Sequence, residues 1–545
     1  MPIVPQKITG QQFAALDRPE QLDILCRVGN RKKLQLLFDA ADGDELLALL
    51  PPQDLFLLAR ELGADQIPEL LGMATPEQWT AFFDFDCWTG DRFDAGAARP
   101  WLAVLLDGEE PRIVEILLGL NFELLTLILL QEVQVVSGPE ELESEAERGE
   151  ALRRDGGYLL EYRDEEGAKL YGALLDILFR HHADFFRYLL EAVRAEDESL
   201  LEESVYRQRA DRLVDQGFSA PDEARAVYAW LDPERYTIPA EAKIPLGGSA
   251  TGAAPGALLQ LARPGGTLAL ALAGGIDAGT AWELTCLINR TLLADGADCG
   301  DIDEIRAVAG RTLGLLNLAL EYLAGNDADK ARHCLDEEYA ERLFRLGFSL
   351  TLRLRQRARA VVQSAVGPLL DRRFRDVIEP LLPVRPQFPV AARHPGQGGA
   401  QPFAALQEVR LVEAWLDQME VQRRLFEDHF RFPLPAAVDD LSVAAGEPTL
   451  SALFLTALAN RLLGRPFMPQ PLVAGDVRTL HGLVTRGRLV DPELRRQTLT
   501  WLDSLEAGGS TFGEYCLGRW DDEFCAVAVE ALDPRYLGGL IVSSP

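Results

Sequence analysis

The feature that most constrains this chain is a run of short amphipathic helices over residues 30–132, divided by Pro, Gly and Asp. It opens with Arg31-Lys32-Lys33-Leu34-Gln35-Leu36-Leu37 and passes through Leu50-Pro51-Pro52-Gln53-Asp54-Leu55 and Ala74-Thr75-Pro76-Glu77-Gln78-Trp79. It ends in the leucine-rich stretch 124–130. Helices this short cannot each bury an apolar face alone, so they must stack on one another. Leu55, Leu57, Leu58 and Leu62 form one apolar stripe, and Trp79, Phe82 and Phe83 another. Pro52 and Pro76 mark helix starts, where a missing N–H costs little. Thr75-Pro76-Glu77-Gln78 has the reciprocal pattern of a capping box, as do Asp17-Arg18-Pro19-Glu20 and Asp301-Ile302-Asp303-Glu304.

The same periodicity recurs downstream. Residues 171–194, 280–294, 301–323, 327–346, 349–365 and 403–430 read as helices, and a further helix start is expected at Ser137-Gly138-Pro139-Glu140. Tyr158-Leu159-Leu160-Glu161-Tyr162 and Ala168-Lys169-Leu170-Tyr171 flank the turn-like Asp164-Glu165-Glu166-Gly167, which predicts a β-hairpin. The expected fold is therefore mainly all-α, a multi-domain helical repeat or superhelical array with one small β-hairpin near 157–171. The expected domains are an N-terminal helical array (1–136), a helical block with the hairpin (137–236), a helical bundle (257–382) and a C-terminal helical domain (403–545). Pro- and Gly-rich linkers are expected at 237–256 and 383–402.

Charge narrows the function classes. With 54 Lys+Arg against 85 Asp+Glu the net charge is −31, which opposes a broad nucleic-acid or anionic-membrane surface. The seven cysteines are scattered without a CxxC, so no zinc ribbon or thioredoxin motif is present, and the low density suits a reducing compartment. No signal-peptide pattern opens the sequence, and the best membrane-span candidate, residues 113–130, is interrupted by Glu115, Asn121 and Glu123. A cytoplasmic location without membrane insertion is expected.

Few residues suggest chemistry. His333 and Glu337 are spaced to share a helix face, with Cys334 and Glu338 beside them, a start for a metal site that needs ligands from elsewhere. A surface ion pair or a solvated face is the favoured reading of them. Asp295, Asp298, Asp301, Asp303 and Glu304 form an acidic cluster that misses the EF-hand spacing, and helix capping accounts for Asp301 and Glu304. His181 and His182 would diverge on one helix, His394 lies in a linker, His429 sits near a helix end, and His481 has no partner signature. Gly247-Gly248-Ser249-Ala250-Thr251-Gly252 and Gly274-Gly275-Ile276-Asp277-Ala278-Gly279 do not fit a phosphate loop. Arg353, Arg355, Arg357 and Arg359 form a basic run whose expected partners are the chain's own acidic helices. No catalytic, cofactor-binding or metal-binding residue is assigned.

The Leu50-Pro51-Pro52-Gln53-Asp54-Leu55 start, followed by a leucine-rich helix and the Thr75-Pro76-Glu77 start, resembles the helical N-terminal domain of MgtE-type magnesium transporters and, more distantly, the helical repeats of the flagellar switch protein FliG. That resemblance implies a cytoplasmic regulatory helix stack. Over most of its length the chain resembles an uncharacterised bacterial domain-of-unknown-function family. The segments that carry this likeness are Pro51-Pro52-Gln53-Asp54-Leu55-Phe56-Leu57-Leu58, Asp155-Gly156-Gly157-Tyr158-Leu159-Leu160-Glu161-Tyr162, Leu315-Leu316-Asn317-Leu318-Ala319-Leu320-Glu321-Tyr322-Leu323 and Ala457-Leu458-Ala459-Asn460-Arg461-Leu462-Leu463-Gly464-Arg465-Pro466-Phe467.

From the sequence, the expected function is a non-catalytic helical scaffold or adaptor that binds another protein. The alternatives are a regulatory sensor of a small ligand or divalent cation, and an enzyme of unfamiliar type using His333, Glu337 and the acids near Asp301.

Overall fold

The computed structural model describes residues 8–138, 140–141, 157–239, 243–244, 256–434, 448–532 and 539–543. The chain is mainly all-α, with four small antiparallel strand pairs among the described residues. It divides into two compact units, Met1–Leu346 and Gly347–Pro545, and the division falls inside the helix Ala340–Val362. The division lies within residues 257–382, expected as one bundle.

The first unit is built from the expected short helices. Thr75 and Asp17 each cap a helix by accepting from the N3 amide, and the N3 Gln78 and Glu20 reach back to the cap. Asp301 accepts from the amides of Asp303 and Glu304, but its box is not reciprocal, because Glu304 takes the Asp298 amide instead. Arg112 holds the end of Pro68–Gly72 through the carbonyls of Gly72, Met73 and Ala74. Gly119 permits a close approach, since a Cβ there would lie 2.5 Å from the Pro76 ring. The helices meet in an aromatic core in which Phe56 lies 5.1 Å from Phe85 and Phe82 lies 5.0 Å from Trp101.

Several expected elements differ in detail. Leu159–Tyr162 is a strand, but it pairs with Val133–Ser137, and the expected second arm, Ala168–Tyr171, is helical. Asp164 accepts from the Gly167 amide, and Glu165 and Glu166 occupy the first turn, so the helix Glu165–His181 starts where a turn was expected. The helix expected over 171–194 is two, Glu165–His181 and Ala183–Ala195, because His182 leaves the helical conformation and caps the second. The helix expected over 327–346 breaks between Ala328–Glu337 and Ala340–Val362. The helix start expected at 137–140 includes residue 139, outside the described residues, and Ser137 itself ends a strand.

In the second unit, residues 383–402 fold where an extended linker was expected. Phe388–Pro389 pairs with Ala400–Gln401 around the short helix Val390–Arg393. Phe388, Ala391 and Ala392 are buried, and apolar burial outweighs the Pro and Gly content. The long helix Leu406–Arg424 continues as a π-helical turn over Leu425–Phe430, which delivers Phe426 and Phe430 to an aromatic cluster with Phe454, Phe467, Trp501 and Phe512.

Charge is distributed unequally. The first unit holds 32 Lys+Arg against 62 Asp+Glu, a net −30, and the second 22 against 23, a net −1. All six lysines of the chain lie in the first unit.

Candidate functional site

The residues singled out in the sequence do not converge on a reactive centre. His333 is 72% exposed and meets Glu337 at 4.0 Å, and no group of three or more metal-ligating side chains occurs among the described residues. Asp301 is spent on helix capping. His181 pairs with Glu110 at 2.8 Å, alongside Arg180. His182 caps its helix through the Phe185 amide. His394 is exposed, His429 lies 3.6 Å from Glu506, and His481 is buried against Phe524 with Nε2 3.1 Å from the Val527 carbonyl. Arg357 binds Asp417 and Glu420 of the helix Leu406–Arg424, and Arg355 donates to the Leu382 carbonyl.

What the sequence reading missed is a set of buried charges in the first unit. Lys33 and Asp54, both fully or almost fully buried, lie 3.9 Å apart, and the Lys33 ammonium has no hydrogen-bond partner. Asp54 accepts from the amides of Gly256 and Ala257, and burial pushes its carboxyl above the usual range. The neighbouring Gln53 exchanges two hydrogen bonds, of 2.8 and 3.0 Å, with Asn289. The Pro-Pro-Gln-Asp helix start therefore clamps segments more than 200 positions away. Burial also raises the nearby Cys26 thiol to about 12, which makes it a poor nucleophile.

A second node lies at the end of the apolar helix Phe122–Glu132. The Glu132 side chain is fully buried, and one of its oxygens takes Arg99. Arg99 also donates to Asp164 at 2.8 Å. That contact, followed by the Gly167 amide, holds the Asp164 carboxyl below the usual range. The other oxygen, Oε1, has no hydrogen-bond partner; the nearest cation is Arg163, at 3.6 Å and 64% exposed. The Tyr171 hydroxyl lies buried nearby, and burial, with Glu132 adding to it, raises its pKa. Two depressions of about 540 and 530 Å³ meet here, sharing Leu130, Gln131 and Arg163 in their walls. The first has Glu132 in its lining and lies between the strand pair and Val193 and Arg194.

A third node joins Lys243 to Glu283 at 2.6 Å. The buried Glu283 lines a groove of about 290 Å³ that includes Cys286 and Tyr339. Burial raises the Glu283 carboxyl, and Lys243 and the Ala340 amide oppose it.

These features define a class: a large, mainly α-helical protein whose acidic half is organised by buried ion pairs, with a polar concavity over one of them. The chain belongs to the family described as a family of unknown function, DUF6178, which matches residues 10–543. No curated protein and no solved structure matches the chain.

Proposed function

We propose that this protein is a non-catalytic cytoplasmic helical adaptor that binds another protein through its first unit. The observation that carries the reading is the segregation of charge, −30 in Met1–Leu346 against −1 in Gly347–Pro545. Net charge of that size repels itself and weakens the compact state, but it steers a cationic partner and speeds its encounter. It disfavours nucleic acid and anionic lipid on that unit, and no described helix is long and apolar enough on its own to cross a membrane. The partner that fits is a protein with a basic surface or segment. Affinity capture of the full chain from native cells, at about 0.1 M and again at about 0.5 M salt, tests this. A stoichiometric partner released by the higher salt is expected, and a capture with no stoichiometric partner at either salt removes the reading.

A second reading, a sensor of a small ligand, has the Glu283 groove in its favour, because a buried carboxylate lines it. A thermal-shift screen of primary amines and amino acids tests it. Stabilisation that disappears in Glu283→Gln supports the sensor, and a flat screen removes it.

A further inference from the structure

The buried carboxylates of the first unit are not equivalent. Asp54 accepts two backbone amides. Glu132 sends one oxygen to Arg99 and leaves Oε1 buried without a hydrogen bond, and the residue lines a depression of about 540 Å³. A buried carboxylate oxygen without a hydrogen bond is costly, and the cost is recovered when a donor arrives. Arg163 stands at 3.6 Å, beyond hydrogen-bond range, with most of its side chain in solvent. Its place is fixed by its backbone, since the Arg163 N–H donates to the Glu132 carbonyl at 3.0 Å, but its guanidinium is free to swing away. The exposed Glu161 lines the same depression, and so does Arg194, whose guanidinium is already paired with Glu141 and Glu191.

We propose that this depression seats one arginine or lysine side chain of the partner protein, which hydrogen-bonds Glu132 Oε1 and displaces the Arg163 guanidinium. The inference rests on the reading of the first unit as the binder of a basic protein, and it names the site and the recognised group. Arg99 and the shell around it hold Glu132 in place beforehand, so the incoming cation meets a fixed acceptor, and such charged hydrogen bonds in a desolvated setting are the strong ones. Arg163 acts as a placeholder, shielding the buried carboxylate while the site is empty and competing weakly because it never completes a hydrogen bond.

The test uses the full chain and two probes, octa-arginine and octa-lysine, with affinities measured by fluorescence anisotropy at physiological salt. Glu132→Gln should weaken binding by roughly tenfold or more, the effect of about 1.4 kcal/mol, whereas Glu165→Gln, an exposed acid that holds no buried cation, should change it less than about twofold. Arg163→Ala should tighten binding about threefold or more, because the competitor is gone. A variant that had merely lost its fold could not show that opposite sign. An unchanged affinity in Arg163→Ala, or equal losses in Glu132→Gln and Glu165→Gln, overturns the site while leaving a diffuse acidic binding face intact. No binding of either peptide at physiological salt overturns the site and the basic-partner reading together. A captured native partner with neither a basic surface nor a basic segment also overturns both.

Discussion

The two units solve the same packing problem with different materials. The first carries a net −30 and all the lysines, and it buries Lys33 with Asp54, Lys243 with Glu283 and Arg99 with Glu132. The second carries −1 and no lysine. One of its buried ionic contacts is Arg519 with Asp371, in a hydrogen-bonded cluster with Ser451. Its centre is an aromatic cluster around Phe430 and Phe454. Buried ion pairs contribute little net stability over apolar packing, yet removing one partner is expensive. The first unit is therefore more sensitive to the loss of single charges, and the second to the loss of single rings.

The largest effect is expected from Asp54→Ala. It strands the buried Lys33 ammonium and leaves the Gly256 and Ala257 amides without an acceptor, a cost of about 3–5 kcal/mol. Hydrogen exchange should accelerate in Asn30–Asp39, Pro52–Leu62 and Ala257–Ala262, by roughly two to three orders of magnitude. Lys33→Met should cost less, since Lys33 donates no hydrogen bond and Asp54 keeps both amides. If the two variants cost the same, the hierarchy within the node is wrong. The matching change in the second unit is Phe454→Ala, which empties the aromatic cluster and should cost about 3–4 kcal/mol. Faster exchange should be confined to the second unit, most clearly in Leu450–Leu462, Pro492–Leu505 and Gly509–Trp520. A Phe454→Ala variant that loosens Pro52–Leu62 equally would break the comparison.

Acid should act differently on the two units above pH 5, although the first also holds lowered carboxyls such as Asp164 and Glu110. In the first, burial raises the carboxyls of Asp54, Asp86 and Glu283. Their folded forms hold protons more tightly than the unfolded chain, so stability falls as pH rises from about 4 through each raised value and returns as pH falls. In the second, Arg465 lowers Asp476, the Ser510 amide lowers Asp503, and Arg496, then Gln497, lowers Glu493 to about 2. Their contributions are present above the ordinary carboxyl range and are lost as pH falls toward the lowered values. Because these groups lie at the surface, the losses are small. Moving from pH 7 to 5 should thus increase protection in the first unit, helped by reduced self-repulsion, and leave the second nearly unchanged. Exchange rates corrected for the pH dependence of intrinsic exchange check this, and parallel changes in both units would count against it.

The pattern of legibility follows the same physics. Periodicity and capping are local, so Thr75, Asp17 and Pro52 identified their helix starts from the sequence alone. Strand pairing and buried charge are not local. Leu159–Tyr162 was visible as a strand, but its partner lies across the interval from Val133–Ser137, and the nearer arm was claimed by the Asp164 cap. The nodes left a faint trace: Asp54 stands before the apolar run Leu55-Phe56-Leu57-Leu58, and Glu132 between Leu129-Leu130 and Val133. An acid embedded in an apolar run is a signal of burial, but only the folded chain supplies Lys33, Arg99 or the Gly256 amide as its partner.

The smallest effect is expected where the sequence drew most attention. His333 and Glu337 have metal-ligand spacing, yet their imidazole and carboxylate stand 4.0 Å apart with His333 72% exposed. An exposed pair of that kind contributes about 0–1 kcal/mol. His333→Ala should leave stability within about 0.5 kcal/mol of the parent, and zinc should not raise the melting temperature of either protein beyond what non-specific binding gives. A zinc-dependent stabilisation lost in His333→Ala would reveal a ligand set completed by a partner or a second copy, and would move the functional centre of the first unit from Glu132 to the helix Ala328–Glu337. The contrast between Glu132→Gln and His333→Ala therefore decides between the two nodes: a buried acceptor should matter to binding and an exposed one should not.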